Sequence, residues 1–158
     1  MHSTTSAQEI GSNFAARPVH ALVAESAPTQ QSAEDVVADL LVAAPGITTL
    51  AGLIAINPHD LPAAARVDYL AALERQSSWL QAAMQRAIVA VAGVEAGQSD
   101  GPFNGVDEAE REDVSSALRL SAGTAQMRID VARTLVNHLP NTCSALATGE
   151  LSAAHATA

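Results

Sequence analysis

Residues Glu110–Leu139 read EREDVSSALRLSAGTAQMRIDVARTLVNHL, two short amphipathic segments joined by a small-residue break. In the first, Val114, Ala117 and Leu118 fall at helical spacing and Leu120 closes the segment. Ser121-Ala122-Gly123 follows, and the Ser121 hydroxyl is suited to accept from the free N–H groups of a new helix. In the second segment Ala125, Ile129, Ala132, Val136 and Leu139 recur at gaps of four and three, one apolar stripe on one helix face. Pro140 ends it, because it has no N–H to donate and its ring blocks the preceding turn. Helix, short turn, helix is the outline of a helix-turn-helix unit, and it sets the expectation of an all-α fold.

Composition points the same way. Aromatic residues make up 3% of the 158, so the core must be built from Leu, Val, Ile and Ala. Ala and Leu are strong helix formers, whereas strands favour β-branched and aromatic side chains. The formal charge of −9 excludes a chain that coats nucleic acid or anionic lipid over its whole surface. All eight basic residues are Arg, a bias that fits a GC-rich, Ala-rich coding sequence. Cys143 is the only cysteine, which excludes an internal disulfide and a cysteine-built zinc site. No basic region followed by an apolar run opens the chain, and the apolar run Ala87–Ala92 is far too short to span a bilayer. A cytoplasmic protein without membrane partners is expected.

Along the chain, residues 1–31 are small and polar without a sustained period and read as a disordered tail, with a helical domain over 32–158. Ser32 and Asp35 form a capping-box pair ahead of the stripe Val36, Val37, Leu40 and Leu41, which Pro45-Gly46 ends. Thr48 is placed to cap a short helix carrying Leu50, Leu53 and Ile54, and Asn57-Pro58 stops it. Asp60 is the expected N-cap of the longest helix, with Gly93 and Gly97 at its end. The row Leu70, Leu73, Ser77, Leu80, Met84, Ala87 and Val91 alternates gaps of three and four. It predicts a narrow packing seam, either inside a bundle or between two copies of the chain. Gln98–Val106 is a turn-rich loop, and Asp107 is suited to cap the next helix. Asn141–Thr148 predicts a short helix with Leu146 inward and Gly149 at its end, and Ser152 caps a last one. The expectation is a bundle of about six helices, one long and central, cut short at its C-terminal end so that the chain is a fragment of a longer protein.

Several of these motifs carry a resemblance. ALRLS at 117–121, the A-x-x-L of Ala132 to Leu135, LP-x-T at Leu139 to Thr142, GELSAAHA at 149–156 and WLQAAMQRAIVAVAG at 79–93 resemble an actinobacterial family, the 13E12 repeat family. Its members carry an N-terminal domain of unknown function, number 222, and often an HNH endonuclease module. The similarity runs from about Leu61 to the end of the chain. The family's His-Asn-His constellation has no counterpart here, so the resemblance implies the front part of that domain, without the nuclease and without any catalytic residue to carry over. It implies a non-catalytic relative of DNA-acting proteins.

Within the hairpin, Ser115 takes the small contact position and Arg119-Leu120-Ser121 the turn, with Arg119 where glycine is usual. Arg119, Thr124, Gln126 and Arg128 are the side chains expected to reach phosphates or base edges. Arg119, Arg128 and Arg133 against Asp130 give Val114–Leu139 a local positive charge, while Asp107–Asp113 upstream is strongly acidic. Weak, non-specific DNA binding is the expected outcome. The alternative is a protein–protein interaction or dimerisation module using the long helix. His138, Cys143 and His155 lack the paired spacing of a zinc site, and Cys143 with His138 has no nucleophile context. No metal, cofactor or catalytic set is expected.

Overall fold

The computed structural model describes residues 31–93 and 108–157. The expected tail up to Gln30, the loop Gln98–Val106 and the cap at Asp107 lie outside them. Within the described residues the chain forms seven α-helices and no strand: α1 (Ala33–Val42), α2 (Ile47–Ile54), α3 (Ala63–Ala92), α4 (Glu108–Leu118), α5 (Ala122–Arg133), α6 (Pro140–Ala147) and α7 (Ala153–Ala156). The all-α reading, with one long helix, is what the structure has.

All six other helices touch α3, which at about 1.5 Å per residue is about 45 Å long. Its two halves bury different faces. The first half buries Ala65, Ala72 and Gln76, with Tyr69 half-buried, at steps of four and three. This face meets α1 and α2, where Val37 and Leu61 close a small cluster with Ala65. The second half buries Ser78, Ala82, Gln85, Val89 and Ala92, again at steps of four and three. There Ile88, Val89 and Ala92 pack on Val114 of α4 and on Ala125, Ile129 and Ala132 of α5. Gln76 and Ser78 are only two residues apart, so the two series point about 160° apart around the helix.

The leucine row lies in the gap between these two faces. Leu70, Leu80 and Val91 are 66%, 52% and 50% exposed, Ser77 and Ala87 are exposed, and Leu73 and Met84 are half-buried. The expectation that this row forms the seam inside the bundle is therefore corrected. Partners approach α3 from two sides, and small side chains on those sides let them come close.

Side chains from distant helices complete several helix ends, as buried backbone polar groups require. Ser32 and Asp35 form the expected capping box of α1. Arg75, near the midpoint of α3, donates to the carbonyls of Leu41 and Ala43 at the C-terminal end of α1 and to Thr148 O at the end of α6. Thr48 does not cap α2. Gly46 holds that position with its N–H on Gln76 Oε1 at 2.9 Å, and Thr49 Oγ1 donates to Ala44 O. Nor does Asp60 cap α3. It ends a 3₁₀ turn, Pro58–Asp60, capped by Asn57, and Pro62 precedes the first residue of α3. Pro62 moves the start of α3, because the residue before a proline is pushed out of the helical region, and Leu61 is extended at φ −81° and ψ 146°. Tyr69 Oη donates to Leu53 O at the end of α2.

Past Arg133 the chain makes one π turn, Thr134–His138, closed by Leu139 N–H on Thr134 O. Pro140 cannot supply the next helical donor and instead starts α6. Through this turn Val136 still packs half-buried on the second cluster and Leu135 is buried, but Leu139, expected inside, is 45% exposed.

Candidate functional site

The α4–α5 hairpin has the expected joint. At the end of α4, Leu120 N–H bonds to Ser115 O and Arg119 N–H to Ser116 O, the paired bonds of a Schellman ending. That ending needs a left-handed residue, and Arg119 supplies it at φ 55°, where glycine would be unstrained. Ser115 Oγ donates to Leu120 O at 2.7 Å, so the small contact residue also ties down the turn. Ser121 then caps α5, its hydroxyl accepting from Thr124 N–H.

The four sequence-derived contact residues do not form one face. Arg119 stands exposed in the turn, and Thr124 and Arg128 lie one turn apart along one side of α5. Gln126, two residues before Arg128, points about 160° away. Its Nε2 donates to Asp130 Oδ1 at 3.0 Å within the helix, while its Oε1 is buried with no hydrogen-bond partner among the described residues. Arg133, counted in the hairpin's positive charge, is buried at the far end of α5. It donates to Ala92 O and Gly93 O and pairs with Glu110 at 3.9 Å. A cation on the free carbonyls at the C-terminus of α3 suits the helix dipole. Arg111 is also buried, paired with Glu108 at 3.5 Å. The exposed cations of the hairpin are thus Arg119 and Arg128, against exposed Glu108, Glu112, Asp113 and Asp130. The surface field at the hairpin disfavours phosphate.

Cys143 is a buried residue of α6 outside any disulfide, while His138 is exposed. Among the described residues no three His, Cys, Asp or Glu side chains gather as a metal site. No helix of the described residues is long and apolar enough to cross a membrane.

Two features escape the linear reading. One is the outward row of α3, whose spacing is legible but whose exposure is not. The other is a cavity of about 220 Å³ lined by Gln81, Gln85, Arg128, Leu146, Ala153, Ala154 and Thr157. Gln85 is 2% exposed and its Oε1, closed off from solvent, has no hydrogen-bond partner among the described residues, a state that costs about 1–3 kcal/mol. The only linear signal for it is a glutamine three residues after Ala82, in register with the buried alanines.

A family model described as Domain of unknown function (DUF222) matches residues 66–158, from the first turn of α3 to the end of the chain, and so leaves out α1 and α2. No curated protein and no solved structure matches the chain.

Proposed function

This chain belongs to the DUF222 family, and from that premise we propose that it is a non-catalytic helical docking domain that pairs with a second copy of itself through the outward row of α3. One observation carries the reading: the helix that every other helix packs on leaves Leu70, Leu80 and Val91 exposed along one side, with Leu73 and Met84 half-buried in the same row. Contiguous apolar surface of this kind marks interaction sites. The second copy is favoured by the pattern of the row. Around Ser77, Leu73 and Leu80 stand four before and three after, and Leu70 and Met84 stand seven to either side. A twofold interface brings the same patch of both subunits together, so a row nearly symmetric about a small residue suits two antiparallel copies. From Leu70 to Val91 the row is about 32 Å long, three heptads.

The test is sedimentation velocity over a hundredfold range of concentration on the wild type and on Leu80→Glu. The expected result is a concentration-dependent dimer for the wild type and a monomer for the variant, with unchanged helical circular dichroism. A wild type that stays monomeric at the highest concentration overturns the reading.

A second reading, in which the domain assists a DNA-acting HNH-type protein by holding DNA on the α4–α5 hairpin, is supported by the left-handed joint at Arg119 and the capped start of α5. The reading predicts weak, sequence-independent binding at low salt, lost steeply as salt rises. Replacing Arg128 by Ala reduces the salt slope by about one if the side chain meets a phosphate. A DNA titration at two salt concentrations that shows no binding at either removes this reading and leaves the first untouched.

A further inference from the structure

We infer that α2 is a pairing arm, an inference that rests on the twofold pairing through α3 proposed above. In the pair, Ile47 and Ile54 of each copy's α2 pack on the other copy's α3 at Leu80 and Ala83. Two bonds seat α2 on its own α3. Gly46 N–H donates to Gln76 Oε1 where α2 begins, and Tyr69 Oη donates to Leu53 O where it ends. Tyr69 and Gln76 are seven residues apart, just under two turns, and so lie on one line of the helix. The same line continues through Ala83 and Ala90, both exposed. The side of α3 that takes α2 in its first half is therefore uncovered in its second half, with Leu80 beside it at 52% exposure. α2 has a free apolar side of its own: Ile47 is 79% exposed, Ile54 is 69% exposed, and Ala51 between them is exposed.

The twofold brings these two surfaces together. An axis that reverses α3 about Ser77 lays each flank of the helix beside the same flank of its partner, running the other way. Gln76 and Tyr69 stand one and eight residues before Ser77, so the α2 seated on them in the partner lies beside residues 78–85 of this copy. Leu80 and Ala83 are the exposed residues of that stretch. Alanine at 83 lets a second helix come close, as Ala65 and Ala72 do in the half of α3 that α1 and α2 cover. A single helix row is a narrow contact, whereas a stable interface buries roughly 1,200–2,000 Å² in total, and a second helix from each copy widens it. The family match begins at Arg66, so the arm lies outside the part shared with the family and restricts pairing to chains that carry it.

The experiment joins sedimentation velocity to disulfide trapping on the full chain. Ile54 stands at the Tyr69 end of α2, fourteen residues or about 21 Å along α3 from Ala83. A disulfide needs Cα atoms within about 7 Å, so a bond between these two positions forms only across copies. Chains carrying Ile54→Cys and Ala83→Cys are mixed, oxidised and analysed by mass spectrometry, with each chain alone as the control. The expected result is a dimer joined between positions 54 and 83, about tenfold or more above the 54–54 and 83–83 products. Ile47→Glu and Ile54→Lys are expected to raise the dimer Kd about tenfold or more with unchanged circular dichroism, since both replace exposed side chains. A wild type that dimerises while the 54–83 product stays at the control level overturns the inference and leaves the dimer reading standing. So does a wild type that dimerises no better than both α2 variants. A wild type that is monomeric at every concentration removes the dimer reading and the arm with it.

Discussion

The two halves of α3 solve the same packing problem with different materials. The first half meets α1 and α2 through Ala65, Ala72 and Gln76, with Tyr69 beside them, so most of its contact is made by small or polar side chains. The second half meets α4 and α5 through Ile88 and Val89, against Val114 and Ile129. The apolar area removed from water is larger there, and hydrophobic stabilisation scales with that area. The family match begins at Arg66 and so takes in nearly all of α3 and α4–α7 while leaving out α1 and α2. The comparison predicts that, within the one compact unit 31–158, α3 with α4–α6 is the more stable part, with α1 and α2 held to it by a small core and by hydrogen bonds at their ends.

The largest expected effect tests that asymmetry. Ile129→Ala removes a fully buried side chain from the centre of the second cluster and is expected to cost about 3–4 kcal/mol in urea denaturation. Val37→Ala in α1 is expected to cost about 2 kcal/mol and to accelerate amide exchange in α1 and α2 without changing protection in α5. Exchange that rises equally in α1 and α5 would show one cooperative unit and break the comparison.

Next in size is Gly149→Ala. Gly149 is the left-handed residue at the end of α6, and a Cβ there would stand 2.9 Å from Arg75 Cβ and 3.1 Å from Arg75 O, at the midpoint of α3 where the buried face changes sides. Strain at the positive φ and the clash with backbone together are expected to cost about 2–3 kcal/mol. A thermal melt within a degree of the wild type would mean that α6 can move off α3 freely.

Arg75→Met leaves the same point of α3 packed but removes the donors that reach Leu41, Ala43 and Thr148. The expected loss is about 2 kcal/mol, the worth of a charged hydrogen-bond cluster, with the faster exchange confined to the C-terminal ends of α1 and α6. An unchanged melt would show that water replaces the guanidinium there at no cost.

The smallest effect has the opposite sign. α4 and α6 end in the same Schellman geometry, one with Arg119 and the other with Gly149 in the left-handed seat. Relieving the side-chain strain with Arg119→Gly is expected to stabilise by about 0.5–1 kcal/mol, because the gain at positive φ exceeds the entropy that glycine adds to the unfolded chain. A destabilised variant would show that the Arg119 side chain makes a contact worth more than the strain.

The candidate sites divide by how local their causes are. The hairpin joint was legible: Ser121 caps α5, and Arg119 sits in the glycine seat that the spacing of the two helices demanded. The side chains around it were not. Arg133 reads as one more exposed cation until the carbonyls of Ala92 and Gly93, forty residues earlier, are placed against it. Gln126 and Arg128 are near neighbours in sequence, yet one is occupied by Asp130 and the other lines a cavity with Gln81 and Gln85.

By itself the sequence determined that the chain is helical and where most helices begin and end, because caps such as Ser32, Ser121, Ser152 and Gly149 act through hydrogen bonds within a few residues. It also determined the spacing of the leucine row on α3. Only the tertiary structure decided which way that row faces. A long helix offers several faces at helical spacing, and an alanine, serine or glutamine face is buried as readily as a leucine face when partners approach closely and the polar groups find bonds. Gln76 found Gly46, Arg75 found the ends of α1 and α6, and the row of Leu70, Leu80 and Val91 was left outside.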